Sequence, residues 1–327
     1  MNNALPMLKG YRVLDLTQIV AGPTCTRIMA ELGADVVKVE LAPFGDRTRV
    51  GGLKSRHPDH KGSSRSTYYF QHNHSKRSLA LDIKHPSGLA LIKRMIPKFD
   101  VLVENFSPGV MARAGLSYEA LRELNPRLVM CSISLAGQTG PLSQKPGYDY
   151  IAQAYAGITD LIGSPEGDPS LITMAIGDTA TGMAAAMAVG FALLHRERTG
   201  EGQHVEATLL DTYFQMHEVA VPRVALRKGY VPRRTGTQHP DGGRPGYSAA
   251  ATARICRWPS CPINGTRSSA RWTCPSWPMT RASPRPRCAG TTTRTSRRSS
   301  KNGWPGWGRA SRRWRRSTPG AFPARPC

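Results

Sequence analysis

Apolar residues from Tyr11 onward come in short runs, and the stretches between them carry helical spacing. Arg12 to Leu16 reads as a short apolar strand, Ala21-Gly22-Pro23 as the opening of a helix, and Asp35 to Glu40 as a second strand. Pro23 suits a first helical turn and Gly33 suits the end of that helix. Residues 43–67, rich in Gly, Arg, His and Ser, read as a loop. A second unit follows: a strand from Leu79 to Ile83, a helix from Pro86 to about Pro97, and a buried strand from Val101 to Glu104 that stops at Asn105. Leu128 to Ile133 forms a further strand, and Asp178 to Arg198 a long helix rich in Ala and Met. Strands alternating with helices predict an α/β fold, a parallel sheet covered by helices on both faces.

Composition divides the chain in two. Residues 1–241 carry 27 of the 45 Lys and Arg and all 22 Asp and Glu, so most of the formal charge of +23 lies elsewhere. Residues 242–327 hold the other 18 basic residues, all six Trp and five of the seven Cys, with no acid, no Leu and no Val. Residues 254–327 follow neither a 3.6 nor a 2 period, and a packed core is hard to build from them. Disorder is one reading of this tail. Another is a shifted reading frame, because a GC-rich gene read out of frame yields Arg, Pro, Ser, Trp and Cys in such proportions. A basic arm with interleaved aromatics that grips nucleic acid is a third. Near absence of Lys and of any recognisable module weighs against it, and no nucleic-acid partner is expected.

The opening MNNALPMLKG lacks the apolar core and cleavage site of a signal peptide. The longest apolar run, Met183 to Leu194, is shorter than the roughly 20 residues a bilayer requires. These features predict a cytoplasmic protein with no membrane partner. Only Cys25 and Cys131 occur before residue 242, so no disulfide framework is expected there. His57 with His60, and His72 with His74, lie in loop-like sequence without acids at ligand spacing, and Cys256 and Cys261 lack paired CxxC spacing, so no metal site is expected.

Four segments carry more information together than apart. They are Leu14-Asp15-Leu16-Thr17-Gln18-Ile19-Val20-Ala21-Gly22-Pro23, Asn73-His74-Ser75-Lys76-Arg77-Ser78-Leu79, Val103-Glu104-Asn105-Phe106-Ser107-Pro108-Gly109, and Gly177-Asp178-Thr179-Ala180-Thr181-Gly182-Met183, the last followed by Arg198-Thr199-Gly200-Glu201-Gly202-Gln203. In order and spacing, over about 235 residues, they resemble the family III coenzyme A transferases, the CaiB/BaiF group. The resemblance implies a Rossmann-like parallel sheet flanked by helices. Residues 1–235 then form the large CoA-binding and catalytic domain, 236–247 a glycine- and proline-rich linker, and 248–327 an aberrant tail that leaves the frame after about residue 247.

The resemblance also implies a chemistry. An acyl-CoA donor and a carboxylic acid acceptor exchange CoA, with CoA as substrate and no permanently bound cofactor. Taken alone, Asp178 reads as a helix N-cap worth about 1 kcal/mol; within the family pattern it becomes the acyl carrier. Free N–H groups and the helix dipole are expected to keep it ionised. Asp149, otherwise an N-cap for a helix over 150–162, resembles a family acid beside the nucleophile. Gln18, Val20, Ala21, Asn105 and Phe106 map to the lining of the nucleotide and pantetheine, with Lys145 and Tyr148 before Asp149 as further contacts. Lys76, Arg77 and Arg113 are the candidate cations for the phosphates. Gly137-Gln138-Thr139-Gly140-Pro141 reads as a turn beside the acyl group, and the glycine turns at 236–246 as a border of the acceptor pocket. The resemblance further implies an interlocked homodimer.

Two rival readings remain open. An α-methylacyl-CoA racemase resembles the same fold, but it needs a His-Asp pair where this chain has Tyr148-Asp149, and a tyrosine hydroxyl, ordinarily ionising near about 10, is a poor proton shuttle. Alternatively the chain is an inactive family member whose uncovered sheet edges and apolar faces promote aggregation. Sequencing the coding DNA around codon 248 is expected to reveal a single-base shift that restores a Leu-rich, acid-bearing frame; finding none would remove the frame-error reading.

Overall fold

The computed structural model describes residues 6–50, 54–56 and 64–236. The chain opens with β1 (Arg12–Leu16), α1 (Ala21–Glu31) and β2 (Asp35–Glu40), followed by β3 (Lys54–Arg56), β4 (Ser64–Ser66) and α2 (Thr67–Asn73). Next come β5 (Arg77–Ala80), α3 (Pro86–Met95), β6 (Val101–Glu104), α4 (Val110–Arg113), α5 (Tyr118–Leu124) and β7 (Val129–Ser134). The remainder comprises α6 (Asp149–Tyr155), α7 (Ile158–Leu161), α8 (Ile176–Thr199), β8 (His204–Thr208), α9 (Leu209–Met216) and α10 (Ala220–Leu226).

Six of these strands make one parallel sheet in the order β5-β2-β1-β6-β7-β8. The chain therefore builds outward from β1 in one direction, then returns to β6 on its other side and builds the opposite way. That reversal places a crevice beyond the carboxyl ends of β1 and β6, where ligands of open α/β sheets bind.

Period 2 within apolar runs explains why both faces are covered. Val13, Val36, Val101, Val103, Val129, Cys131 and Ile133 pack with α1 and α8 on one face. Leu14, Leu16, Val37, Val39, Leu102 and Met130 pack with α3 and α5 on the other. Cys25 and Cys131 are both buried and unpaired. The apolar run Met183 to Leu194 is the middle of α8, whose 24 residues are by length and composition sufficient to cross a membrane. One side of α8 nevertheless joins the sheet core through Ala185, Val189, Ala192 and Leu193. It crosses α1 at Gly182, where a Cβ would stand 2.5 Å from the Ala21 carbonyl oxygen.

Several elements differ from the sequence-based expectation. The strand expected at Leu79 to Ile83 is Arg77–Ala80, fixed by its register against Val37 to Glu40. Within 43–67 stand a 3-10 turn at Arg47–Arg49 and the antiparallel pair β3–β4. The single helix expected over 150–162 is α6 and α7, separated at Gly157, whose φ of 72° an ordinary side chain resists. The tail, His57, His60 and the turns beyond Gly236 lie outside the described residues.

Beneath the first strand lies a buried ionic array that sequence reading assigned differently. Lys76, expected at the CoA phosphates, is enclosed with its Nζ 3.0 Å from Asp15 Oδ2, and it also donates to the Pro23 carbonyl and Asn73 Oδ1. Lys38, equally buried, lies 3.0 Å from Asp46 Oδ2. Burial alone would raise the Asp15 carboxyl, but the charges of Lys38 and Lys76 and the hydroxyls of Thr17 and Thr26 outweigh it and bring it to about 2. Burial pulls Lys76 down to about 8 against the attraction of Asp15. Arg77, the next residue, instead sits at the amino end of β5, exposed and paired with Asp35 at 2.6 Å. Lys76→Ala removes the cation in direct contact with buried Asp15 and is expected to cost about 3–5 kcal/mol in urea unfolding. Arg77→Ala breaks an exposed pair worth no more than about 1 kcal/mol; equal losses in the two variants would contradict this assignment.

Candidate functional site

The crevice at the strand reversal is real: a cavity of about 150 Å³ lies beyond the carboxyl ends of β1, β6 and β7. Gln18 to Ala21 form one wall, Asn105 to Pro108 another, and Lys145 to Tyr148 a third, with Asp178 at the edge. Gln18, Val20, Ala21, Asn105, Phe106, Lys145, Tyr148 and Asp178, separated by up to 160 positions along the sequence, therefore come together.

The loop after β1 is held almost atom by atom. Asp15 accepts from the Thr17 amide at 2.8 Å, and Lys38 Nζ donates to the Thr17 carbonyl at 2.7 Å. Asn105 bonds the Gln18 backbone twice, accepting from its N–H and donating to its C=O, both at 2.8 Å. The Ile19 amide donates to the Asp46 carboxylate at 3.3 Å. Ile19 adopts a φ of 71°, unfavourable for a β-branched residue, and this set of bonds holds it there. Asn105 thus acts on the cleft through the loop backbone. Phe106 is fixed in turn by its own amide, which donates to Glu104 at 2.8 Å. Burial drives the Glu104 carboxyl up to about 7 despite that bond and the Ser132 hydroxyl.

Asp178 occupies the third position of α8, inside the first turn and not at the cap, and no side chain caps α8. The N-cap expectation is thereby corrected. So is the expectation that it stays readily ionised: burial first, and the neighbouring Asp149 second, push its carboxyl up to about 7. Asp149 is the first residue of α6, with Tyr148 in the capping position. Its Oδ1 accepts from the Tyr213 hydroxyl, and its buried Oδ2 has no partner among the described residues. Tyr213 also accepts from the Gly177 amide at 3.0 Å. This tyrosine carried no motif and stood 35 positions from Asp178, so nothing local in the sequence singled it out. On the other side of the α8 start lies a second cavity of about 740 Å³, bordered by Tyr68, Gln71, His72, Tyr150 and Met174.

None of the three expected phosphate cations lines the cleft, whereas Lys145, expected as a further contact, does. Arg113 folds back under Gly109, near the Phe106–Pro108 wall, while Lys76 and Arg77 are engaged elsewhere. Gly137 and Gly140, with φ near 90°, form the expected turn, tied to β8 by the Gln138 amide and Glu206. His72 faces Thr24 and His74 pairs with Glu31, and no metal-ligating cluster occurs among the described residues.

A doubly wound α/β domain with a carboxylate at the edge of its switch-point cleft defines the class. The chain belongs to CoA-transferase family III, whose profile matches residues 8–255. It is 40% identical over 242 residues to the succinate–glutarate CoA-transferase of Agrobacterium fabrum, covering 74% of this chain and 60% of that one. The human succinyl-CoA:glutarate CoA-transferase is 42% identical over 212 residues, 65% of this chain and 47% of that one. Among solved structures, a CaiB/BaiF family protein from Brucella suis superposes with a TM-score of 0.67 at 37% identity, covering 72% of this chain and 62% of that one. The chain thus spans about half to three-fifths of the length of these curated relatives.

A carboxyl raised to about 7 binds a proton that the unfolded chain, titrating near 3.8, has released. Stability therefore falls as pH rises between those values. Asp178→Asn is expected to stabilise the protein at pH 8, by about 1–2 kcal/mol in thermal unfolding, and to change little at pH 5. A variant equally or less stable at both values would refute the buried-charge account.

Proposed function

We propose that the chain is the catalytic part of a CoA-transferase in which Asp178 carries the acyl group. The observation supporting this is one carboxylate, partly buried at the head of α8, opening onto the cleft walled by Gln18 to Ala21 and Asn105 to Pro108. The wall residues suit the pantetheine arm, with Lys145 and Arg113 left for the phosphates. In this reading ionised Asp178 attacks the thioester carbonyl, the C–S bond breaks, and CoA leaves as thiolate, giving a mixed anhydride. The thiolate then attacks the aspartyl carbonyl and expels the first acid, leaving an aspartyl-CoA thioester. An acceptor carboxylate displaces CoA through a second anhydride, and CoA returns to the new acyl carbon, freeing Asp178.

The names of the two curated relatives pair glutarate with succinate or succinyl-CoA, so a small dicarboxylic acid is the first acceptor to test. The racemase reading loses further ground, because Tyr148 is 60% exposed and sits edge-on to Tyr150 while Asp149 bonds Tyr213. Met183, Met187, Phe191 and Leu194 form an exposed stripe along α8, which suits the homodimer implied by the family resemblance.

Incubation with succinyl-CoA followed by hydroxylamine is expected to convert Asp178 alone to a hydroxamate, detectable by peptide mass. Asp178→Asn should lower CoA exchange at least about a thousandfold. Because the nucleophile is the ionised form, adduct formation should rise with pH through about 7 and level above it. Full labelling in Asp178→Asn, or a rate independent of pH from 5 to 9, would defeat the reading.

A further inference from the structure

Tyr213 is the largest fully buried side chain among the described residues, yet it carries a polar end. Its ring closes on the backbone of Gly177, where a Cβ would meet ring carbon Cε2 at 2.3 Å. Its hydroxyl bridges two elements, donating to Asp149 Oδ1 of α6 and accepting from the Gly177 amide of α8. That amide belongs to the first turn of a helix, where N–H groups lack intrahelical partners, and no capping side chain substitutes there. The preceding residue, Thr212, donates to Thr208 and receives a bond from Thr181 at 3.0 Å, so α9 docks on the opening of α8 at two successive positions. Gln153, one turn after Asp149, clamps both polar backbone atoms of Ile172 just before α8.

We propose that Tyr213 is a positioning residue, which by holding Asp149 as a charged neighbour and Gly177 as a fixed pivot sets the aim and protonation of the Asp178 carboxylate. This deepens the acyl-carrier reading and rests on it for its catalytic meaning. A phenol donor favours the anionic form of the carboxylate it bonds. Among the described residues the Tyr213 hydroxyl is the donor to Asp149, and the charge of Asp149 is, after burial, what pushes the Asp178 carboxyl up. Other ionisable groups facing Asp178 are Tyr68 from α2 and, across the cleft, Lys145 and Tyr148. None of these bonds Asp149.

The test is a carboxyl-carbon NMR titration of the full chain labelled at aspartate, with Asp178 assigned from Asp178→Asn. Tyr213→Phe keeps the ring and deletes the bridge, and its Asp178 titration step is expected to fall by at least about one pH unit. Site-specific 3-fluorotyrosine at 213 retains the ring and the donor, and should leave the step within about 0.3 unit of the native one. A step unmoved in Tyr213→Phe, or displaced equally in both variants, would overturn the proposal. The readout needs no turnover, so a native step that moves as expected in a protein forming no adduct with succinyl-CoA would reject the acyl-carrier function while leaving the positioning role standing.

Discussion

Two buried ion pairs, Asp15 with Lys76 and Lys38 with Asp46, underlie everything built at the carboxyl end of the sheet. Lys38 comes from β2 beside β1 and Lys76 from the turn before β5, and both reach the turn that follows β1. Charges so enclosed are tolerated only when their remaining donors and acceptors are met. Here those donors and acceptors are the backbone of Thr17, the carbonyl of Pro23 and the side chain of Asn73, and the first two flank the Gln18 to Ala21 wall of the cleft. The array is therefore less a source of stability than a specification of one loop geometry.

The strands were legible because each is a short apolar run whose two faces are both covered, and the order of strand and helix left little choice of topology. Gln18, Val20, Ala21, Asn105, Phe106, Lys145 and Tyr148 could likewise be placed by motif. Lys76 shows the limit. Beside Arg77 its expected place is at the CoA phosphates, and only the tertiary packing just before β5 encloses Lys76 against Asp15 while Arg77, first in the strand, stays in solvent. Tyr213 shows the other limit, since its role depends on the docking of α9 against α6 and α8, a tertiary relation with no local signature.

Asp178 illustrates how environment overrides a helix-end rule. The amides of the first turn and the helix dipole favour a carboxylate, yet enclosure and a second carboxylate nearby outweigh them. Placing two acids together and giving only one of them a donor separates their behaviour, as in other paired-carboxylate sites. Asp149 receives the phenol; Asp178 faces the cleft without one among the described residues.

The Tyr213 bridge carries a consequence for biosynthesis. Residue 178 leaves the ribosome well before residue 213, so the head of α8 emerges with an unsatisfied amide and an unpartnered acid beside it. The Tyr213 contacts with Gly177 and Asp149 exist only once α9, which follows β8 in the chain, is in place. Until residue 213 has been made and α9 packs there, Asp178 is an ordinary solvated aspartate, and the surroundings that raise its carboxyl are incomplete.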